Sequence, residues 1–262
     1  MNKNTLEKVS DMKELWEQPQ TWQKLMGGDC LNYDDVSGAG VRFVSTMVKR
    51  FKQYGKYKLE NSAVLEIGCG TGRFLKPLSG MFKKVIGVDV SKMLLEIAEN
   101  KYCAGIENIE YCLNNGVNLD SFESNSLEYV FSMGVFQHIT SFDVIASYIR
   151  EALRVLKGDG IFFFCFVGTH VNDEGSSATG AKITAKKLNE ALMGSKYKIK
   201  EMSVDMLDPR QRTVVVVLQK TTREVKQNKS FSDFELTNVP YASAVYGVNK
   251  DSVVEKLTFY DK

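Results

Sequence analysis

The segment VLEIGCGTGRFL, residues 64–75, decides how the rest of the chain is read. An apolar run ends in Gly68, Gly70 and Gly72, one glycine at every second position, and a helical pattern begins directly after them. The run predicts a buried strand and the glycines a strand-to-helix turn. Glycine takes positive φ without steric cost and puts no Cβ between the backbone and whatever approaches it. So dense a set predicts either a tight turn or a backbone that a ligand must approach closely.

The next apolar run, KVIGVDV (residues 84–90), favours the ligand. It ends in Asp89, a carboxylate able to accept hydrogen bonds from a ribose diol. In open α/β sheets, ligands lie beyond the carboxyl ends of strands, near the reversal in strand order. Both Asp89 and the glycine turn fall at such strand ends.

The remaining elements follow from periodicity. SKMLLEIAENKY reads as a helix capped by Ser91, IEYCL (109–113) as a third strand and LEYVFSM (127–133) as a fourth. FDVIASYIREALRVL (142–156) is a helix closed by a KGDG turn, and IFFFCFV (161–167) a fifth strand apolar enough to be buried on both faces. AKKLNEALMG is a helix, KYKIKEMSVDML (196–207) a sixth strand and TVVVVLQK (213–220) a seventh. Only DPRQR separates the last two, too short for a parallel crossover, so they must pair as a hairpin. The expected fold is α/β: a Rossmann-like, seven-stranded, mostly parallel sheet with an antiparallel seventh strand and helices on both faces. Around this core (residues 61–220), residues 1–60 read as an N-terminal helical lid and residues 221–262 as a polar extension suited to a flap.

Composition narrows the function classes. The 262 residues are 44% hydrophobic and 25% charged, and the net charge of +2 gives no bias towards nucleic acid. Five cysteines without a CxxC pair predict reduced thiols, neither a disulfide frame nor a zinc site. The N-terminus lacks the apolar core of a signal peptide. The longest apolar runs are far short of the ~20 residues a membrane helix needs. The expectation is a soluble cytoplasmic protein with a small-molecule substrate and neither membrane nor nucleic-acid partner, its oligomeric state open.

Dinucleotide enzymes and enzymes using S-adenosylmethionine share the glycine-turn logic. The dinucleotide fingerprint GxGxxG needs a small third residue for close helix packing, but that position here is Arg73. The pattern is GxGxG, with Glu66 two residues upstream. In VLEIGCGTGRFL, VIGVDVS, LNNGVNLDSFESNSLEYVFSMGVFQHI and EALRVLKGDGIFFF, taken in order, the chain resembles the class I S-adenosylmethionine-dependent methyltransferases. The resemblance covers roughly residues 63–220. It implies S-adenosylmethionine as cofactor, with Glu66, Gly68, Cys69, Gly70 and Gly72 around its methionine end. Asp89 would then take the ribose hydroxyls, Val90 lie against the adenine, Asn115 accept from the adenine amino group, and Met133 begin the loop under the methyl group. Glu128, where relatives often carry Asp, is expected to be structural.

The acceptor is less legible. The [DNS]PP[YFW] motif, the PC dipeptide and the paired-Glu loop of nucleic-acid and arginine methyltransferases are missing, which favours a small molecule. Only two histidines occur, His138 after the fourth strand and His170 after the fifth, both expected at the carboxyl edge of the sheet. By resemblance to phosphobase methyltransferases, His138 would act as base or acceptor-orienting group, with Tyr33 as partner. Trp16 and Trp22 are candidates to stack on cofactor or acceptor. Arg210 and Arg212, in the turn between the last two strands, would clamp a phosphate or carboxylate. Metal-ligand spacing is missing, so no metal is expected. The alternatives are a non-catalytic S-adenosylmethionine-binding module and a nicotinamide oxidoreductase.

Overall fold

The computed structural model describes residues 3–20, 33–167, 181, 183–208 and 211–225; at residues 33–40, 42, 167, 204–208 and 211–213 it describes the backbone alone. Six helices are assigned among them: α1 (Lys3–Trp16), α2 (Tyr33–Tyr54), α3 (Leu75–Ser79), α4 (Lys92–Ile97), α5 (Phe142–Val155) and α6 (Ala185–Leu192). The strands are β1 (Ala63–Ile67), β2 (Lys84–Asp89), β3 (Ile109–Leu113), β4 (Leu127–Ser132), β5 (Leu156–Val167), β6 (Tyr197–Asp208) and β7 (Gln211–Lys220). They form one sheet in the order β3-β2-β1-β4-β5-β7-β6.

Strand pairing matches the expected fold. β1 pairs in parallel with β2 and β4, β2 with β3, and β4 with β5. β7 runs antiparallel to both β5 and β6, and Asp208 pairs with Gln211 where the chain turns back. β6 is therefore parallel to the first five strands, and its end at Asp208 stands at their carboxyl edge. The chain winds from β1 out to β3 and then crosses to β4 on the other side of β1. That reversal opens a crevice beyond the ends of β1 and β4, where ligands bind in such sheets.

Alternation along the strands builds two apolar layers. Leu65, Ile67, Phe162, Phe164 and Phe166 face one side, with Val144, Ile145 and Ile149 of α5 and Leu188 and Leu192 of α6. Val64, Ile161, Phe163 and Cys165 face the other, with Met47, Val48 and Phe51 of α2 and Leu75 and Leu78 of α3. This two-sided burial explains why IFFFCFV shows no polar alternation.

One expectation is corrected. The KGDG segment does not simply close α5: Leu156 already pairs with Leu127, and the register shifts before Ile161 meets Tyr129. The segment is a bulge within β5, with Asp159 at φ 65°. A Cβ at Gly160 would stand 2.9 Å from the Glu128 carbonyl oxygen, so only glycine fits there. Within the segment read as an N-terminal lid, residues 1–60, the two described helices pack on different sides of the sheet, and residues 21–32 lie outside the described residues. α2 belongs to the core layer, whereas α1 lies on the opposite side of the sheet, with Val9 buried in the first layer and Met12 packed against it. Of the C-terminal extension, residues 226–262 lie outside the described residues.

Among the described residues no helix is long and apolar enough to cross a membrane, and no group of three or more His, Cys, Asp or Glu residues could hold a metal. Cys69, Cys103, Cys112 and Cys165 are free thiols. Cys30 lies outside the described residues.

Candidate active site

The three glycines of the opening segment do three different things. All have positive φ, 76° at Gly68, 52° at Gly70 and 82° at Gly72. The turn hangs on β2, where the N–H groups of Gly68 and Cys69 both donate to the Val88 carbonyl at 2.7 and 3.0 Å. A Cβ at Gly68 would fall 2.4 Å from Val135 Cγ2, so this glycine lets the loop after β4 close against the turn. A Cβ at Gly72 would meet Cys103 Sγ at 3.0 Å, so this one seats the turn on the segment after α4. Only Gly70 faces open space.

That space is a cavity at the strand reversal. Its walls include Glu66, Gly68, Cys69 and Gly70 from the turn, Asp89 and Val90 from β2, and Met133 and His138 from the loop after β4. Of the expected cofactor residues, Gly72 and Asn115 do not line it. Gly72 is occupied with packing. The amide oxygen of Asn115 accepts from Val117 N–H at 2.8 Å and Asn118 N–H at 3.0 Å, closing a turn on the exposed side. Asn114 lines the cavity instead. Its amide oxygen is also occupied, by the Gly116 N–H at 2.8 Å and the Tyr148 hydroxyl at 2.5 Å. The expected bond from an adenine amino group to an Asn115 carbonyl oxygen thus lacks its acceptor.

The two carboxylates of the cavity differ. Asp89 is held by its neighbours: Oδ2 accepts from Gly70 N–H at 2.8 Å and Oδ1 from Ser91 N–H at 3.0 Å. Burial pushes its carboxyl above the ordinary value, and these backbone donors pull the other way. Each oxygen keeps a second lone pair for a hydroxyl. Glu66 is 1% exposed, and its Oε2 has no hydrogen-bond partner in the protein. Burial drives this carboxyl well above its ordinary range, against the nearby Arg73 guanidinium and with the Asp89 charge. A buried oxygen without a donor, beside an open glycine face and a diol acceptor, fits the ammonium, backbone-facing and ribose parts of S-adenosylmethionine.

The opposite wall comes from α1 and the loop after β4. Met12 and Trp16 line the cavity, and the Trp16 ring meets the His138 imidazole edge to face, centroids 5.4 Å apart at 73°. His138 closes a single 3₁₀ turn, Phe136–His138, set by the buried Phe136. α1 is latched beyond the cavity: Glu17 accepts from the Lys92 and Met93 N–H groups at the start of α4, at 2.6 and 3.4 Å. Sequence reasoning missed Met12, Thr71, Leu94, Val135 and Tyr148 as lining residues. Arg73, used there only to reject a dinucleotide, also lines the cavity. Its place directly after the third glycine was the one available signal.

Glu128 lies at the other end of the strands. It accepts from the Ala63 N–H at 2.8 Å and pairs with Lys157, a structural role. Trp22, His170 and Arg210 lie outside the described residues. Tyr33 opens α2 and Arg212 belongs to β7, each described by backbone only.

Comparison with known proteins agrees with this geometry. A family model described as a methyltransferase domain matches residues 65–164. The ubiquinone biosynthesis O-methyltransferase of Pelagibacter ubique (strain HTCC1062) is 25% identical over 190 residues, 72% of this chain and 74% of that protein. The protein named probable tRNA methyltransferase 9B of Mus musculus is 32% identical over 111 residues, 42% of this chain but only 23% of its own length. The phosphoethanolamine N-methyltransferase 1 of Haemonchus contortus, solved with phosphoethanolamine and S-adenosylhomocysteine, superposes with a TM-score of 0.61 at 18% identity, covering 90% of this chain and 53% of that one.

Proposed function

We propose that the chain is a class I S-adenosylmethionine-dependent methyltransferase, as the methyltransferase-domain match over residues 65–164 supports, and that it methylates an oxygen or nitrogen of a small polar metabolite that carries a phosphate or carboxylate. The observation that carries this reading is the two-walled cavity. One wall holds the unpartnered Glu66 oxygen, the open face of Gly70 and Asp89; the other holds His138 under Trp16.

When bound, S-adenosylmethionine supplies an activated methyl group on a sulfonium. The protein's part is to position, desolvate and handle protons. Glu66 takes the ammonium group, Asp89 the ribose hydroxyls, and Val90 and Leu94 pack the base. Met12 and Trp16 shut out water. His138 accepts the proton of an acceptor hydroxyl, its ring held by Trp16. An amine acceptor would need only orientation. An anionic acceptor is supported by Arg212, which stands near the start of β7 and so at the carboxyl edge of the sheet, with Arg210 two positions before it in the sequence.

S-adenosylhomocysteine release, followed with S-adenosylmethionine and a panel of acceptors, tests the proposal. The panel contains phosphobases, nucleotide-linked sugars, carboxylated phenols and neutral analogues. It also contains bulk tRNA, since one relative carries a tRNA methyltransferase name. Turnover confined to anionic small molecules is expected. Turnover of tRNA alone would overturn the acceptor class. Tight S-adenosylhomocysteine binding without turnover of any acceptor would instead mark a non-catalytic binding module.

A further inference from the structure

We infer that Glu66 carries a proton while the cavity is empty and surrenders it when the ammonium group of the cofactor enters, so that cofactor binding releases a proton. The inference rests on the cofactor reading above and adds a mode of regulation to the same site.

The geometry leads there directly. Glu66 sits on the interior strand β1 in the cavity wall, 1% exposed, with Oε2 buried and accepting from no donor. An ionised carboxylate cut off from water and lacking a donor is strongly disfavoured, so the group takes up a proton instead. The surroundings do not reverse this. Arg73 pulls towards ionisation, but Asp89 on β2 pushes against it, and burial outweighs both. The thiols of Cys69 and Cys103 add no cation, and they feel Glu66 as a like charge. From the far wall, His138 and Tyr148 line the same cavity. The one thing missing at Oε2 is a donor carrying positive charge, and the amino-acid end of the cofactor is such a donor.

Asp89 is the internal comparison. Its two oxygens already accept backbone N–H groups, and its assigned partner is a neutral diol. A diol supplies no charge to drive off a proton.

The sign follows from linkage. The Glu66 carboxyl is raised in the empty protein and lowered once the ammonium is beside it. Between those two values each binding event releases a proton, and affinity rises with pH. As pH falls through that window, affinity is lost, by up to about tenfold per pH unit.

Calorimetry with S-adenosylhomocysteine, repeated in buffers of different ionisation enthalpy across the pH range in which the protein stays folded, counts the protons. The wild-type protein should release protons over part of that range, and Glu66→Gln, which keeps the shape and cannot ionise, should release none there and bind with little pH dependence. 5′-Methylthioadenosine, which keeps the nucleoside but lacks the ammonium group, should bind the wild-type protein without releasing a proton. Binding of S-adenosylhomocysteine without proton release, or with equal release from Glu66→Gln, would overturn the inference while leaving the cofactor reading standing. A wild-type protein that binds neither compound would overturn the cofactor reading itself.

Discussion

Arg50 and Glu201, 151 positions apart in the chain, meet inside the protein: Nε and Nη2 of Arg50 both donate to Glu201 Oε1, at 2.9 and 2.6 Å. Tyr54 donates to the other carboxylate oxygen at 3.1 Å, and Ser203 adds a third donor to the first at 3.0 Å. The cluster pins α2 to the far edge strand β6. It therefore ties the layer under the cofactor turn to the hairpin beyond β5.

Breaking this pair leaves one buried charge alone. Arg50→Ala should lower stability by about 3–5 kcal/mol, and a joint Arg50→Met, Glu201→Leu replacement should recover most of the loss. Urea unfolding measures both. Burial alone would raise the Glu201 carboxyl, but its bonds to Arg50, Ser203 and Tyr54 outweigh burial and hold it below the ordinary 4.5. Its stabilisation is thus complete above that value and is lost as pH falls through the lower, folded one. Glu201→Gln should flatten the acid limb of the stability profile.

The glycines separate stability from binding. Gly68→Ala meets both a left-handed backbone and the Val135 methyl at 2.4 Å. It should cost about 1–2 kcal/mol in backbone energy and about 1–3 kcal/mol more in overpacking. Gly70→Ala meets only the backbone penalty, since nothing stands in its way. Its methyl enters the cavity, so affinity for S-adenosylhomocysteine should fall more than stability does. Thermal unfolding and calorimetry on the two variants should rank them in opposite orders.

On the proposed cofactor reading, Asp89 serves the turn as well as the ligand. Asp89→Ala removes acceptors for Gly70 and Ser91 together with the ribose contact. A loss of about 1.5–3 kcal/mol in S-adenosylhomocysteine binding is expected, along with a lowered melting temperature. Unchanged affinity in the folded variant would remove Asp89 from the site.

The sheet was legible because its elements are local. Runs such as IEYCL and KVIGVDV carry their own period, and the five-residue DPRQR linker forces the hairpin by length alone. The glycine turn was legible because few backbones need such density. What stayed hidden depends on contacts between distant segments. No pattern around Arg50 or Glu201 points to the partner, because each looks like an ordinary surface charge. Asn115 was misjudged for a related reason. Adjacent asparagines offer identical chemistry, and only the turn, in which Asn115 Oδ1 accepts from Val117 and Asn118 while Asn114 points inward, tells them apart. The split of residues 1–60 was equally out of reach. Both helices are amphipathic, and amphipathicity does not say which face of the sheet a helix covers.

In the proposed mechanism the chemistry turns on His138, and its setting separates two roles. It lies far enough from Glu66 and Asp89 in function that the cofactor wall is complete without it: those carboxylates and the glycine turn come from β1 and β2. Its own wall is made by the Phe136–His138 turn and the Trp16 ring. If it takes the acceptor's proton, His138→Ala should lower kcat by about 10²-fold or more while S-adenosylhomocysteine affinity stays within about twofold, a change worth only ~0.4 kcal/mol. Trp16→Phe keeps an aromatic face against the imidazole and should retain most of the turnover, whereas Trp16→Ala should lose it without a matching loss of cofactor affinity. Steady-state kinetics with the acceptor found in the panel, paired with calorimetry, measures each of these. Parallel losses of turnover and cofactor binding in His138→Ala would make the residue a structural part of the wall. Full turnover would leave orientation and desolvation as the whole of the protein's contribution, the outcome expected of an amine acceptor.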